Sequence, residues 1–325
     1  MIAKTATTLT LLTVYALLAL YGFSADPVYA QSDSFMDPTG QIAADQKSHF
    51  IRVTALTMIA IIPVFVLLPV ILIKYRRNRR GPDYKPTWDF SLPLEITMWG
   101  VPAILVGIMS WHLWHSTHNL DPYRPIESSN PTVNVQVIGL DWKWLFIYPD
   151  LGIATVGEMA MPVEHPVAMT LTSDTVMQSF IISSLAGQIY AMAGMTTKLH
   201  VMADQTGEFE GENLQYNGTG FVDQKFKALS MEPAEFDAWV AKVKAEGIPL
   251  SKDAYAKLAV RGSTAEAHAT LANNKVPDGV VYFTLPDANL FHKVVMRYHD
   301  GKPIIRSEQP GTKEFSASVN GEAAK

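Results

Sequence analysis

Between Val53 and Ile73 the chain runs 21 residues without a charge. As a helix rising 1.5 Å per residue, that run covers the roughly 30 Å hydrocarbon core of a bilayer. Pro63 and Pro69 lie inside it, which a membrane helix tolerates when neighbours satisfy the freed carbonyls, so a bent helix packed on a partner is predicted. Lys74, Arg76, Arg77, Arg79 and Arg80 follow at once, a basic block that the positive-inside rule keeps cytoplasmic. A second apolar run, from about Pro93 to Trp114, ends in Trp111 and Trp114, residues suited to a membrane interface, and returns the chain to the outer side. Upstream, Lys4, the apolar stretch Leu9 to Phe23 and the small residues before Gln31 have the pattern of a cleavable secretory signal over 1–30. The expected order is that signal, an exported segment over 31–50, and a two-helix transmembrane hairpin over 51–120.

Composition narrows the chemistry. A formal net charge of −5 gives no electrostatic footprint for nucleic acid. The chain has no cysteine, which removes disulfides, thiolate metal sites and cysteine nucleophiles together. Neither a glycine-rich phosphate loop nor a nucleophile motif stands out.

One residue breaks the apolar rule of the second span. Glu95 lies about one turn inside its cytoplasmic end, beside Met98 and Trp99. A carboxylate there either reaches back to the headgroups and the basic block or marks a functional position. At the outer end, His112, His115 and His118 suggest a metal site, but each step of three turns a helix by about 300°, so they fan across about 120° and cannot share one ion.

Beyond Pro131 the pattern changes. Val133, Val135 and Val137 alternate with Asn134 and Gln136, the period of a half-buried strand. Trp142, Trp144, Phe146 and Tyr148 would share one face of an extended chain, which reads as a sandwich core or a seat on a membrane partner. Further strands are expected over Val167 to Thr172, Met177 to Ile182, Met195 to Met202 and Lys225 to Leu229, with turns at Gly187, Gly194 and Gly207, giving an all-β sandwich or Greek-key barrel over 131–230. Over 231–300, Glu232-Pro233, Ser251 and Asp287 each start an amphipathic helix, and the polar stretch 301–325 predicts a mobile tail. His165, His200, His268, His292 and His299 are scattered without ligand spacing, and Asn217-Gly218-Thr219 reads as a turn.

This order of parts, with the stretches Asp141 to Ile153, Ser173 to Ser184, Gln188 to Met195 and Gly218 to Leu229, resembles subunit II of the haem-copper respiratory oxidases. The resemblance spans Gln31 to about Tyr298 and implies a cupredoxin-like sandwich behind the membrane hairpin. In the cytochrome c oxidase branch that sandwich holds a dinuclear copper centre. Here the ligand positions of that pattern fall on Gln178, Asn213, Gln215, Asn217, Phe221 or nearby, and Gln224, so every ligand is replaced. Bridging thiolates are soft donors that amides cannot imitate, and a copper-bearing subunit or a solitary membrane-anchored binding module are the poorer alternatives.

The pattern is that of the quinol oxidase branch, most like its cytochrome bo-type members. It implies a proton-translocating ubiquinol oxidase of a bacterial inner membrane with this chain's C-terminal domain in the periplasm. No cofactor is expected in this chain; haems and copper belong to subunit I, with subunits III and IV and membrane lipid as further partners. Within Pro93-Leu94-Glu95-Ile96, the resemblance implies that Glu95 lies at the mouth of a proton-uptake channel. One departure is the absent cysteine after the signal, which leaves membrane retention to the two helices.

Overall fold

The computed structural model describes residues 34–76, 89–272, 276–285, 287–299 and 301–315. The expected signal over 1–30, the basic residues Arg77, Arg79 and Arg80, and the end of the expected tail from 316 onward lie outside the described residues.

Among the described residues two helices, α1 (Gln41–Lys74) and α2 (Leu92–Asn119), are long and apolar enough to cross a membrane. The sequence places the start of the hairpin near 51, whereas α1 begins at Gln41. Its first three turns therefore rise above the apolar run as continuous helix. They are pinned to the sandwich: Thr39 N–H donates to Ser184 O at 2.9 Å, Asp204 N–H to Thr39 O at 2.8 Å, and Ala43 N–H to Leu185 O at 3.2 Å. The α1–α2 seam uses the half-buried Leu105, Met109, His112 and Ser116 of α2, spaced as successive turns of one face. A 2.8 Å hydrogen bond from Ser116 Oγ to His49 Nδ1 closes the outer end of that seam.

Among the described residues twelve strands follow α2: β1 (Val133–Leu140), β2 (Lys143–Tyr148), β3 (Ile153–Val156), β4 (Glu158–Pro162), β5 (Val167–Ser173), β6 (Gln178–Ile182), β7 (Ala186–Ala191), β8 (Thr197–Val201), β9 (Gly207–Asn213), β10 (Lys225–Met231), β11 (Ile248–Pro249) and β12 (Val281–Thr284). They form two sheets, ordered β11-β12-β3-β2-β1-β5-β8 and β4-β10-β9-β6-β7. This is the sandwich the sequence predicts, with β3, β4, β7, β9 and the two short last strands added. Gly187 lies within β7 and Gly207 opens β9, so neither is the turn its residue type suggests.

Alternation along β2 explains the layering. Trp144, Phe146 and Tyr148 point between the sheets, where Trp144 meets Phe180 edge-on at 5.2 Å and Phe146 meets Phe226 at 4.8 Å. Leu145 and Ile147 point the other way, into a second core roofed by helices. Helix α3 (Pro233–Glu246) packs Phe236, Trp239, Val240 and Val243 on the first core, and the helices that roof the second are α4 (Lys252–Ala259), α5 (Thr264–Leu271) and α6 (Leu290–Met296). Two expected starts are present, with Glu232 and Glu235 forming a capping box on α3 and Ser251 Oγ accepting from Ala254 N–H, while α6 opens at Leu290 with Asn289 at its N-cap in place of the expected Asp287. Helix α5 is an addition, started by the Ser263/Glu266 capping box.

Residues 301–315 do not behave as the polar composition predicts. Phe315 is buried in the helical core and Gly311 O accepts a hydrogen bond from Arg261 at 2.8 Å, so this part of the expected tail is packed.

Tyr148 locks β2 to β4. Its hydroxyl donates to Ala160 O at 2.8 Å and accepts from Ala160 N–H at 2.9 Å, and burial raises the phenol far above its ordinary pKa. Tyr148→Phe should therefore cost about 1–3 kcal/mol, because it leaves both Ala160 groups unpaired in the core. Chemical denaturation of the full chain in detergent measures this; an unchanged midpoint contradicts it.

Candidate functional site

Four chain segments converge at one end of the sandwich: the end of β1, the start of β6, the end of β9 and the residues leading into β10. Antiparallel pairing sets Phe180 opposite Asn213, which brings Gln178 and the 214–224 loop together. Gln178 and Gln224 are fully buried and Asn213 nearly so. Buried carboxamides must find partners, and these find one another.

Gln224 Nε2 donates to Gln178 Oε1 at 2.6 Å, and Gln224 Oε1 accepts from Asn213 Nδ2 at 3.0 Å and Asn217 Nδ2 at 2.7 Å. Gln178 Nε2 donates to Leu140 O at 3.0 Å and Thr175 Oγ1 at 3.1 Å. Asn213 Oδ1 takes the backbone N–H of Ser179 and of Gln215, each at 2.9 Å, and Asn213 Nδ2 also reaches Gln215 O. Four of the six positions singled out in the sequence thus form one hydrogen-bonded cluster. The other two stand apart: Gln215 joins through its backbone, and the Phe221 ring packs on Tyr216 at 5.8 Å.

Close backbone approach makes room for the cluster. A Cβ on Gly139 would fall 2.6 Å from Gln178 Oε1. Trp142 covers the loop from outside, and here the expected aromatic face is corrected. Strand β2 starts at Lys143, and Trp142 sits at φ 68°, so its indole swings out of the stripe onto Gly218 and Gly220. The left-handed conformation costs about 1–2 kcal/mol for a residue with a Cβ. Contact offsets it: the Arg261 guanidinium lies 5.5 Å from the ring centroid, held by Asp141 Oδ2 at 2.9 Å.

Two charged groups that sequence reasoning missed fasten the helices to this end. Asp174 is fully buried. It accepts from Tyr255 Oη at 2.6 Å and Arg297 Nη1 at 2.9 Å, and burial raises its carboxyl while Arg297 opposes the rise. Lys143 is also buried and donates to Asp141 O, Val260 O and Gly262 O at 3.2, 2.9 and 2.7 Å. A basic residue inside an otherwise strand-like run was the available signal for Lys143; Asp174 lies in the turn between β5 and β6, where an acidic residue is ordinary.

The cluster's donor set does not fit copper. Carboxamide oxygens are hard ligands, the thiolates and imidazole of a dinuclear copper centre are soft or intermediate, and here the amide groups are hydrogen-bonded to one another or to backbone, Asn217 Oδ1 excepted. Nor do the interfacial histidines gather: His115 stacks on Trp111 and His118 on Trp114, with ring centroids 4.4 and 4.6 Å apart. Among the described residues no group of three or more His, Asp or Glu is placed to hold a metal. His165, His200, His268 and His299 each hydrogen-bond a backbone carbonyl.

At the far end of the molecule Glu95 occupies the first turn of α2, half-buried, its Oε2 accepting from the Trp99 indole N–H at 3.1 Å. Among the described residues no ion pair joins it to Lys74 or Arg76.

Fold and site together define an apolar hairpin carrying a β-sandwich whose loop end is closed by carboxamides. No protein-family model matches the chain. It is 40% identical over 291 residues to cytochrome bo(3) ubiquinol oxidase subunit 2 of Pseudomonas aeruginosa, covering 89% of this chain and 84% of that protein. Ubiquinol oxidase subunit 2 of Acetobacter aceti is 38% identical over 274 residues, 84% of this chain and 85% of the relative. The solved periplasmic domain of subunit II of cytochrome oxidase of Bradyrhizobium japonicum matches 38% of this chain and 98% of its own length at 21% identity and a TM-score of 0.35. The chain belongs to the subunit 2 family of the bo(3)-type ubiquinol oxidases.

Burial lowers the Lys143 pKa from its ordinary 10.5 to about 8. Between those values the unfolded chain keeps the proton and the folded chain releases it, so this group makes stability rise with pH across that window. The protein should therefore gain up to about 2 kcal/mol on a Lys143→Met variant between pH ~8 and ~10. Parallel denaturation series at those pH values check it; a constant difference contradicts it. Gln224→Leu strands Gln178 Oε1 and Asn217 Nδ2 and should cost about 2–4 kcal/mol, read by the same denaturation.

Proposed function

We propose that the chain is the non-catalytic subunit II of a proton-translocating ubiquinol oxidase, seated in a bacterial inner membrane with its sandwich in the periplasm. Two apolar helices and the names borne by its relatives support this reading. The single observation that carries the mechanistic part is the Gln178, Asn213, Asn217 and Gln224 cluster. A domain whose ligand positions are bonded amides offers a one-electron donor no relay, so ubiquinol delivers its electrons to the large subunit I. Haems and copper reside there, and this chain braces that subunit, with subunits III and IV completing the complex.

Glu95 is assigned to proton uptake. A carboxylate one turn inside the cytoplasmic end of a span exchanges protons with the cytoplasm at modest desolvation cost, and the Trp99 indole holds it in place. Glu95→Gln keeps an acceptor for Trp99 and removes the exchangeable proton. It should slow ubiquinol turnover by about tenfold while copurification with subunit I is unchanged. Full turnover and pumping in that variant removes the assignment. For the complex itself, ubiquinol should sustain oxygen consumption and reduced soluble cytochrome c should not; the reverse result overturns the reading.

A further inference from the structure

A cleft of about 480 Å³ lies where the helix hairpin meets the sandwich, walled by the first turns of α1, the linker that follows α2, and the edge strands β7 and β8. Its height matters. Asn119 stands five residues beyond Trp114 and Asp45 eight residues before Val53. At 1.5 Å per residue those are about 7 and 12 Å above the apolar runs, so the Asn119 side of the cleft stands at the outer margin of a headgroup layer roughly 5–8 Å thick and the Asp45 side just above it.

Its lining is charged with both signs. Asp45, Asp121 and Glu127 contribute three carboxylates and Arg124 one guanidinium. His200 adds direction. Its Nδ1 hydrogen-bonds Pro122 O at 2.9 Å, and a carbonyl only accepts, so Nδ1 carries a proton and the neutral form of the ring presents Nε2 as an acceptor. Acceptors therefore outnumber donors, and one cation is present among them. Such a wall suits a ligand whose own cation is dominant and whose anion needs a single guanidinium.

We propose that this cleft seats the headgroup of a phospholipid that carries a primary ammonium beside its phosphodiester. The ammonium faces the carboxylates and His200; the phosphodiester faces Arg124. An ammonium with three N–H donors is preferred to a quaternary one, because no phenyl, phenol or indole lines the cleft to hold a methylated cation. A purely anionic headgroup meets three carboxylates and is disfavoured. The inference rests on the hairpin lying in a bilayer. Release of the chain from membranes by alkaline carbonate would remove that reading, whereas a retained chain without lipid preference removes this one alone.

The test uses the full chain in detergent, stripped of lipid and titrated with phosphatidylethanolamine, phosphatidylcholine or phosphatidylglycerol, with bound lipid counted by native mass spectrometry. One phosphatidylethanolamine should bind about tenfold more tightly than either competitor, the factor one charge-assisted hydrogen bond supplies. Asp45→Asn combined with Glu127→Gln, both at exposed positions, should abolish the preference over phosphatidylcholine, and Arg124→Gln should weaken both zwitterionic lipids alike. Equal affinity for the three lipids, or a preference that survives in the double variant, overturns the proposal. Displacement of the lipid by equimolar glycerophosphoethanolamine would assign the cleft to a soluble ligand and overturn it as well.

Discussion

A buried carboxamide that lacks a partner costs more than a satisfied one returns, and that asymmetry governs the loop end of this sandwich. Gln178, Asn213, Asn217 and Gln224 come from separate strands and a loop, yet each satisfies another. Gln224 links Gln178, Asn213 and Asn217, so the cluster ties β6, β9 and the 214–224 loop together. Neutral hydrogen bonds thus hold this end of the sandwich together.

A second constraint ties that shape to the membrane part. Helix α1 leaves the apolar run and continues without interruption to Gln41, where Thr39, Gly40 and Ala43 meet the 184–186 and 202–204 backbone. A Cβ on Gly40 would fall 2.4 Å from Met202 O, so the helix end and the sandwich are in van der Waals register. Motion of the hairpin is then motion of the sandwich. The cleft beside the junction is shaped by the same elements.

Much of this was legible because periodicity is strong where burial is one-sided or complete. The hairpin, β1, β2, β5 and the starts of α3 and α4 follow from apolar spacing and caps. Strand β9 did not, since Gly207-Glu208-Phe209-Glu210-Gly211 has poor strand propensity; it forms because it pairs on both sides, with Lys225 and Lys227 meeting Glu210 and Glu208 across β10. Helix α5 was legible in the Ser263/Glu266 capping box and overlooked. Trp142 could not be placed by alternation, because a left-handed residue breaks the period of two. The site positions came from resemblance alone: no spacing rule tells that four amides scattered over 178–224 will bond to one another, or that Phe221 will turn away to Tyr216.

Copper content decides whether the cluster is a scaffold or a masked metal site. Full-length protein purified in detergent, equilibrated with excess copper salt and dialysed against a weak chelator, is assayed by elemental mass spectrometry alongside its absorbance spectrum. The account predicts no retained copper and no thiolate-to-copper absorption. Two copper ions per chain, held through dialysis, would contradict it.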